Sequence, residues 1–191
     1  IDKCRNKWIL VLDADERIPQ ETALIIKDIA SSDLRNAAGY SFPRKNYFQG
    51  RWIRHSGWWP DRVVRLFQKD HGQMSPAKVH ESIVVNGSVQ ELDVPIEHYT
   101  ESRLSQILLK IDHYSTLAAQ EAFDQGRKSS VWSAALRAVL TFLQDYFLRL
   151  GVLDGVQGFT LAITDSVNKF FKYAKLAELN RQAKSRTYKD Q

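Results

Sequence analysis

The residue pattern of this chain changes sharply near position 100. Before that position, short runs rich in β-branched and aromatic residues alternate with glycine and proline, which is typical of strands joined by turns. After it, apolar residues recur every three or four positions almost without interruption, which is typical of amphipathic helices. The chain is therefore predicted to divide into a β-rich portion over residues 1–100, a helical region over 101–180 and a polar tail over 181–191.

The β-rich portion begins with a predicted strand and helix. The run Lys7–Leu12 is apolar, as expected for a central strand buried in an α/β sheet. Pro19 suits the first turn of a helix, whose apolar stripe continues to about Ile29. Because a central strand has neighbours on both sides, we expect this chain to be the C-terminal part of a longer protein. A hairpin is expected at Asn86-Gly87. The other predicted strands are Gly39–Pro43, Tyr47–Ile53, Val63–Gln68, Val79–Val85 and Val94–Ile96.

Composition and charge narrow the class of partner. Lysine and arginine number 27 against 22 acidic residues, so the formal net charge is +5, which suits an anionic partner without identifying it. The single cysteine, Cys4, cannot form a disulfide within the chain, which favours a reducing compartment. The most apolar stretch, Val131–Leu150, contains charged residues and does not meet the requirement for crossing a bilayer.

The spacing of apolar residues in the helical region predicts three helices, at Ser102–Phe123, Val131–Leu150 and Asp154–Leu179, with a break at Gly126. The last two combine aromatic side chains with lysine and arginine, a mixture that suits a helix lying in the surface of a membrane. The same aromatic faces would suit packing on the protein core or on a second subunit. Membrane contact and homo-oligomer contact therefore both stay open.

Asp13 and Asp15 follow the first apolar run with one small residue between them. In an extended segment, residues two apart point to the same side, so both carboxylates could reach one ligand. Oxygen donors of this kind at the end of a strand suit Mg²⁺ or Mn²⁺ shared with phosphate oxygens. The opposing interpretation is a polar loop in which one aspartate caps the helix near Pro19.

A second segment, from Gly50 to Phe67, contains two adjacent tryptophans and four arginines. Guanidinium groups match phosphate oxygens, and exposed indole faces suit sugar rings. Packing of Trp58 and Trp59 within their own loop is the alternative. The pairs His80-Glu81 and Glu97-His98 gain importance only if the fold brings them to the aspartates.

Taken in order, these segments resemble the inverting GT-A glycosyltransferases of family 2, in particular the bacterial subgroup around lipopolysaccharide-core glucosyltransferases. The residues that carry the resemblance are Trp8–Glu16, Gly39-Tyr40, Trp52–Phe67, Val79–Glu81, Glu97–Tyr99 and Phe171–Leu176. The resemblance implies an α/β fold in which the C-terminal part of a Rossmann-like GT-A domain is followed by an α-helical appendage. The family's N-terminal βαβ units have no counterpart in this sequence.

The resemblance also implies roles for individual residues. Asp13 and Asp15 match the Asp-x-Asp motif that contacts the donor's ribose and, through Mg²⁺ or Mn²⁺, its diphosphate. Glu81 matches the carboxylate that deprotonates the acceptor hydroxyl, with Asp61 as the alternative base. His98 matches a late ligand of the metal or diphosphate. The remaining candidates are Arg62 and Arg65 for the diphosphate, and Trp58 and Trp59 for the acceptor or sugar wall.

The implied activity is transfer of a hexose, with inversion, from a nucleotide sugar such as a UDP-sugar to a cell-envelope glycan or glycolipid. The implied location is the cytoplasm, at the inner face of the cytoplasmic membrane, and nucleic acid is not an expected partner. A haloacid-dehalogenase-like phosphatase shares the strand that ends in Asp-x-Asp, but it needs Thr or Val where this chain has Arg17. A non-enzymatic basic and aromatic membrane-binding module would explain the helices but neither Asp13-Ala14-Asp15 nor His80-Glu81.

Overall fold

The computed structural model describes residues 1, 3–32, 37–75, 82–100 and 103–189, with side chains described as far as residue 185. The chain divides into two units. The sheet unit comprises Ile1–Ile53 and Trp58–Thr100, and the helical unit comprises Arg54–Gly57 and Glu101–Gln191. The protein is therefore a mixed α/β structure with a C-terminal helical part.

The larger sheet of the sheet unit is mixed in strand direction. The strands are β1 (Trp8–Leu10), β2 (Glu16–Arg17), β3 (Gly39–Phe48), β4 (Arg51–Trp52), β5 (Asp61–Gln68), β6 (Gly72–Met74), β7 (Ile83–Val85), β8 (Val89–Glu91) and β9 (Ile96–Tyr99). The order is β1-β5-β3-β9-β2, with β4 and β8 also paired to β3, while β6 and β7 form a separate pair. β3 is antiparallel to β5 and parallel to β9. This arrangement leaves the Rossmann-like GT-A assignment a prediction.

β1 is shorter and less enclosed than the apolar run Lys7–Leu12 predicts. Among the described residues its one partner is β5, so it lies at the end of the strand order rather than in the centre. Ile9 is buried, whereas Leu12 is exposed. The N–H of Val11 donates to the Arg65 carbonyl oxygen (2.9 Å), and beyond that bond the backbone leaves β5 and turns.

The core of the sheet unit joins the helix α1 (Gln20–Ser31) to three strands. Ile29 of α1 is fully buried in one cluster with Tyr40 and Phe42 of β3, Leu66 of β5 and Ile96 of β9. Burying each such side chain contributes about 1.5–3 kcal/mol. The cluster therefore holds β3, β5 and β9 side by side in the register that positions the polar residues described below.

The prediction of a hairpin at Asn86-Gly87 is wrong. The strands on either side of this dipeptide join different sheets, since β7 pairs with β6 and β8 pairs in parallel with β3. The glycine is nevertheless needed, because its φ of 133° is one that other residues avoid and a Cβ there would lie 2.7 Å from the Cβ of Ala38. The dipeptide thus redirects the chain from one sheet to the other.

The helical unit contains α2 (Leu104–Asp124), α3 (Val131–Leu143) and α4 (Gly155–Lys189). A π-turn over Gln144–Leu148 and a 3₁₀ turn over Gly151–Asp154 connect α3 to α4. The break predicted at Gly126 is confirmed: this glycine has a φ of 73°, and Ser130 caps α3 by accepting the N–H of Ser133. None of the described helices is long and apolar enough to cross a membrane.

α4 is longer than the predicted helix, which ends at Leu179. It continues to Lys189 through residues that the sequence assigns to a polar tail. Straight-chain polar residues and alanine, such as Gln182, Ala183 and Lys184, favour helix even without an apolar face. Near its middle α4 packs Leu176 against Ala119 and Ala122 of α2, and this is the core contact between the two helices.

The short segment Arg54–Gly57 belongs to the helical unit because Asp154 binds it. The buried carboxylate of Asp154 accepts the backbone N–H groups of Arg54 (3.2 Å) and His55 (2.9 Å), and it lies 3.1 Å from His55 Nδ1. The predicted Arg- and Trp-rich segment Gly50–Phe67 is consequently divided between the two units, and its tryptophan pair and later arginines lie in the sheet unit.

Candidate functional site

The two predicted ligand carboxylates lie in a turn between β1 and β2, not in an extended strand. The Asp13 carbonyl oxygen accepts the N–H of Glu16 (3.0 Å), and the Glu16 carboxylate accepts the N–H of Asp13 (3.2 Å). The two aspartates therefore have different partners: Asp13 pairs with Arg65, and Asp15 pairs with His98. The same-side argument fails here because it applies only to extended backbone.

Glu16 is the buried centre of an ion-pair network. Its side chain is fully buried, with Oε1 2.6 Å from Arg65 Nη2 and 3.5 Å from Arg44 Nη1. Arg65 Nη2 also donates to Asp13, so two carboxylates share one guanidinium group. Because a buried carboxylate is tolerated only when it is paired, Glu16 and the two arginines hold one another in place.

Arg65 occupies a β-bulge. In the register of β3 and β5, Tyr40 and Ser41 stand opposite Leu66 and Val64, so Arg65 between them has no partner on β3. A bulge interrupts the alternation of a strand and redirects a side chain, and bulges are frequent beside active sites. The bulge accounts for the position of this guanidinium group at the aspartate turn.

Arg65 also has an N–H that no described residue accepts. Its Nε is buried and has no hydrogen-bond partner in the described part of the chain. A cleft of ≈500 Å³ adjoins it, and Asp13, Arg44 and Arg62 also line this cleft. Clefts of this size hold small molecules, and guanidinium groups suit phosphate oxygens. The guanidinium groups that line the cleft are therefore suited to phosphate oxygens, while Asp13 adds a negative charge to the same lining.

Arg62 is not part of the ion-pair network. It donates to the Leu92 carbonyl oxygen (2.8 Å) and pairs with Glu91 and Asp93, each at 3.1 Å. Of the two predicted diphosphate arginines, the structure thus brings Arg65 to the aspartate turn, whereas Arg62 pairs with separate acidic residues and also lines the cleft.

His98 is oriented by Asn46, a residue to which no sequence motif points. Asn46 Oδ1 lies 2.6 Å from His98 Nδ1, while Asn46 Nδ2 donates to the Trp58 carbonyl oxygen (3.1 Å) and to Asp61 (3.2 Å). Because both amide hydrogens have acceptors, we assign the amide oxygen as acceptor of the His98 Nδ1–H. In the neutral imidazole the Nε2 lone pair then faces Asp15, whose Oδ2 is 3.3 Å away.

Strand register explains why these residues meet. Asn46 of β3 stands opposite His98 of β9, and His98 stands opposite Glu16 of β2. β3, predicted as two separate strands, runs unbroken over Gly39–Phe48 and so carries Arg44 two positions before Asn46. Arg44 and Asn46 are two positions apart and so lie on one side of the strand, and this spacing is the signal that could have identified them from the sequence.

The structure describes one of the two candidate bases. Asp61 stands opposite Arg44 in the β3–β5 register, and its Oδ2 accepts from Arg44 Nη2 (2.6 Å), Arg44 Nε (2.9 Å) and Asn46. This oxygen therefore already has three donors. Glu81 and its neighbour His80 lie outside the described residues, so the assignment of Glu81 as the base stays a prediction.

Trp58 and Trp59 are half-buried against other aromatic residues of the sheet unit. Trp59 meets Trp52 edge to face with 5.2 Å between ring centroids, and Trp58 lies 6.5 Å from Phe48. Local packing accounts for part of each indole. Contact with a sugar ring stays a prediction for the part that is still accessible.

A stacked tyrosine pair, Tyr47 and Tyr99, lies at the adjoining ends of β3 and β9, with ring centroids 4.9 Å apart. The hydrogen bond from Tyr99 Oη to Glu97 (2.9 Å) raises the pKa of Tyr99, and burial raises the pKa of Tyr47. Both phenols therefore stay protonated and able to donate at neutral pH. Arg17 covers the Tyr99 ring at 4.6 Å.

A divalent cation fits part of this donor set. Among the described residues no three His, Cys, Asp or Glu side chains form a complete metal site. Asp15 and His98 Nε2 nevertheless supply a carboxylate and an imidazole that face each other, and Asn46 fixes the imidazole tautomer as the outer partners of metal ligands do. The other ligands would come from bound phosphate and water, as is usual for Mg²⁺.

Comparison with known proteins gives low but extensive similarity. No family profile matches the chain. It is 27% identical over 192 residues to an uncharacterized glycosyltransferase of Rickettsia typhi, covering 95% of this chain and 66% of that protein. It is 26% identical over 187 residues to one of Rickettsia prowazekii (93% and 64%), and 27% identical over 184 residues to the lipopolysaccharide core biosynthesis glycosyltransferase LpsC of Rhizobium meliloti (92% and 66%). The chain thus spans about two thirds of the length of these relatives.

Proposed function

We propose that this chain forms part of the catalytic domain of an inverting GT-A glycosyltransferase, and that its polar network binds the diphosphate of a nucleotide-sugar donor. The proposal rests on the contact between Asp15 and His98, whose ring Asn46 orients. This contact lies beside the ion pair of Asp13 with Arg65. The glycosyltransferase names of the relatives support the reaction class. The ordered resemblance to family 2 enzymes supports inversion.

The charges of the network suit a metal-bridged diphosphate. Its carboxylates are Asp13, Asp15, Glu16 and Asp61. They outnumber the guanidinium groups of Arg44 and Arg65, so a diphosphate alone would be repelled. Asp15 and His98 would hold Mg²⁺ or Mn²⁺, which when bound supplies positive charge to the leaving diphosphate. The buried Nε–H of Arg65 would donate to a phosphate oxygen, and Arg62 on the same cleft is the second candidate for this role.

A direct displacement would follow. Glu81, or Asp61 as the alternative, would take the proton of the acceptor hydroxyl as the hydroxyl oxygen bonds to the anomeric carbon. The bond from that carbon to the diphosphate oxygen breaks on the opposite face, and the nucleoside diphosphate leaves with the electron pair. Arg65 would stabilise the negative charge on the leaving group. Trp58 and Trp59 would pack against the acceptor or the sugar.

We further propose a UDP-sugar as the donor and a cell-envelope glycan or glycolipid as the acceptor. The acceptor class is supported by the name of LpsC, which refers to lipopolysaccharide core biosynthesis. A glycolipid acceptor places the reaction at the cytoplasmic face of the inner membrane, where the donor is soluble and the acceptor is anchored.

Calorimetric titration of UDP into the full-length protein, with and without MnCl₂, tests the proposed site. We expect binding that requires the metal and weakens at least about tenfold in Asp15→Asn and in His98→Gln. The matched control is Asp70→Asn, which removes an exposed carboxylate elsewhere in the sheet unit and should bind UDP like the wild type. Binding without metal, or equal binding by all variants, would contradict the proposal.

A further inference from the structure

Exposed apolar side chains recur along α3, through the π-turn and the 3₁₀ turn, and into the start of α4. We call the exposed apolar residues between Trp132 and Ile163 the apolar face. Its most exposed members are Trp132 (85%), Leu148 (79%) and Val156 (74%). Single exposed apolar residues are ordinary, but a contiguous apolar surface marks an interaction site.

Helical spacing gathers these residues into stripes. On α3 they are three or four positions apart, at Trp132, Leu136, Val139 and Leu143. α4 repeats the spacing at its start, at Val156, Phe159 and Ile163. Such spacing places residues on one side of a helix. α3 and α4 pack directly on each other, with Ser166 Oγ donating to the Ala138 carbonyl oxygen (2.8 Å), so both stripes belong to one helical hairpin.

The segment that contains the apolar face, residues 125–177, has few carboxylates, and none of them is exposed. Between Gln125 and Ala177 the acidic residues are Asp145, Asp154 and Asp165. Asp145 and Asp154 are buried, the first paired with Arg149 and the second bound to the 54–55 backbone, and Asp165 is half-buried. Exposed basic residues of the same segment include Arg127, Lys128, Arg137, Arg149 and Lys169. Over residues 125–177 the described surface is thus apolar and cationic, and the first exposed carboxylate beyond this segment on α4 is that of Glu178.

We propose that the apolar face docks the protein on an anionic lipid bilayer. A second copy of the chain is a poorer occupant, because joining two identical faces would bring their basic residues together. A bilayer offers an apolar interior edged by phosphate groups, which matches both the apolar side chains and the exposed basic residues of the same segment. The inference rests on the helical unit alone and stands or falls independently of the proposed glycosyl transfer.

Vesicle flotation of the full-length protein tests this docking. We expect the wild type to float with vesicles of phosphatidylcholine and phosphatidylglycerol at low salt. It should float less in high salt and less with phosphatidylcholine alone, because the cations lose their partners. The double substitution Leu148→Asp and Val156→Asp should weaken flotation at least about tenfold, since two side chains would lose their burial in lipid.

A matched control places the same two charges elsewhere in the helical unit. Leu108 and Leu109 of α2 are 57% and 63% exposed, and Leu108→Asp with Leu109→Asp should float like the wild type. Circular dichroism should show unchanged helix content, and Trp132→Ser provides a second face variant should the aspartates perturb the helices. Absence of flotation by the wild type, or equal loss in the α2 control, would overturn the proposal. The proposal would also be overturned by a variant of the apolar face whose flotation is unchanged and whose only effect is to convert a dimer into a monomer in sedimentation.

Discussion

At the scale of single residues, Asn46 determines which ring nitrogen of His98 carries a proton. Its amide oxygen is directed at Nδ1 because its amide hydrogens go to Trp58 and Asp61. The Nε2 lone pair and the Asp15 carboxylate, 3.3 Å apart, repel each other unless a proton or a metal ion lies between them. The pair is therefore arranged to bind a positive charge.

The Asn46→Leu variant is expected to lose this arrangement. Without the acceptor, the Nδ1–H tautomer of His98 loses its preference, and affinity for Mn²⁺ in the presence of UDP should fall about 10- to 100-fold. Nitrogen chemical shifts of the His98 ring measure the tautomer directly. Asn46→Asp retains an acceptor and should keep the Nδ1–H form. An unchanged tautomer in Asn46→Leu would refute the positioning role.

The choice between the two candidate bases can also be tested by single substitutions. Glu81→Gln keeps the side-chain shape but cannot accept a proton, so turnover by the full-length protein should fall by about 10² to 10⁴ while UDP affinity survives. Asp61→Asn should instead disturb Arg44, which its carboxylate binds through two nitrogens. If turnover collapses in Asp61→Asn and survives in Glu81→Gln, the base has been assigned to the wrong residue.

At the scale of elements, local sequence signals predict a helix, whereas strand pairing depends on contacts distant in sequence. Pro19 and the stripe ending near Ile29 predicted α1, which spans Gln20–Ser31, because a helix is specified by neighbours in sequence. The hairpin at Asn86-Gly87 failed because turn residues do not say which strand a segment will join. No local motif identifies Asn46 for the same reason, since its role depends on its register with His98.

The free energy of unfolding depends on pH through Asp165, a residue of α4. Burial, together with the nearby Asp145 carboxylate, raises the pKa of Asp165 to about 6, although Lys169 and Arg149 partly oppose the shift. The folded state therefore binds this proton more tightly than the unfolded state, and its stability declines as pH rises from about 4 to about 6. Asp165→Asn should raise the free energy of unfolding by about 1–3 kcal/mol at pH 7.5, with little effect near pH 4.

Urea unfolding of the wild type and of Asp165→Asn, at pH 7.5 and near pH 4, measures this difference in the free energy of unfolding. Asp112→Asn serves as a control of opposite sign, because a hydrogen bond and charge attraction from Lys175 lower the pKa of Asp112. Its carboxylate stabilises the fold at neutral pH, and that contribution is lost on acidification through its pKa. A gain from Asp165→Asn that is equal at both pH values would contradict the pH-linked explanation.

At the scale of the whole molecule, the change of pattern near residue 100 separates a sheet unit that carries the polar network from a helical unit that carries the apolar face. Hydrophobic periodicity indicates strands before this position and helices after it. It could not predict the mixed strand order of the larger sheet, which depends on contacts distant in sequence. The chain spans about two thirds of the length of the relatives it matches, and tests of activity are therefore designed for the full-length protein.

The most direct test of the account is sugar transfer by that full-length protein from a panel of UDP-sugars to a lipopolysaccharide-core acceptor. We expect release of UDP that requires Mg²⁺ or Mn²⁺ and a product whose anomeric configuration, read by nuclear magnetic resonance, is inverted. Asp15→Asn should lower the rate by about 10² to 10⁴, whereas Asp70→Asn should match the wild type. Transfer by Asp15→Asn at the wild-type rate, or a product with retained configuration, would contradict the account.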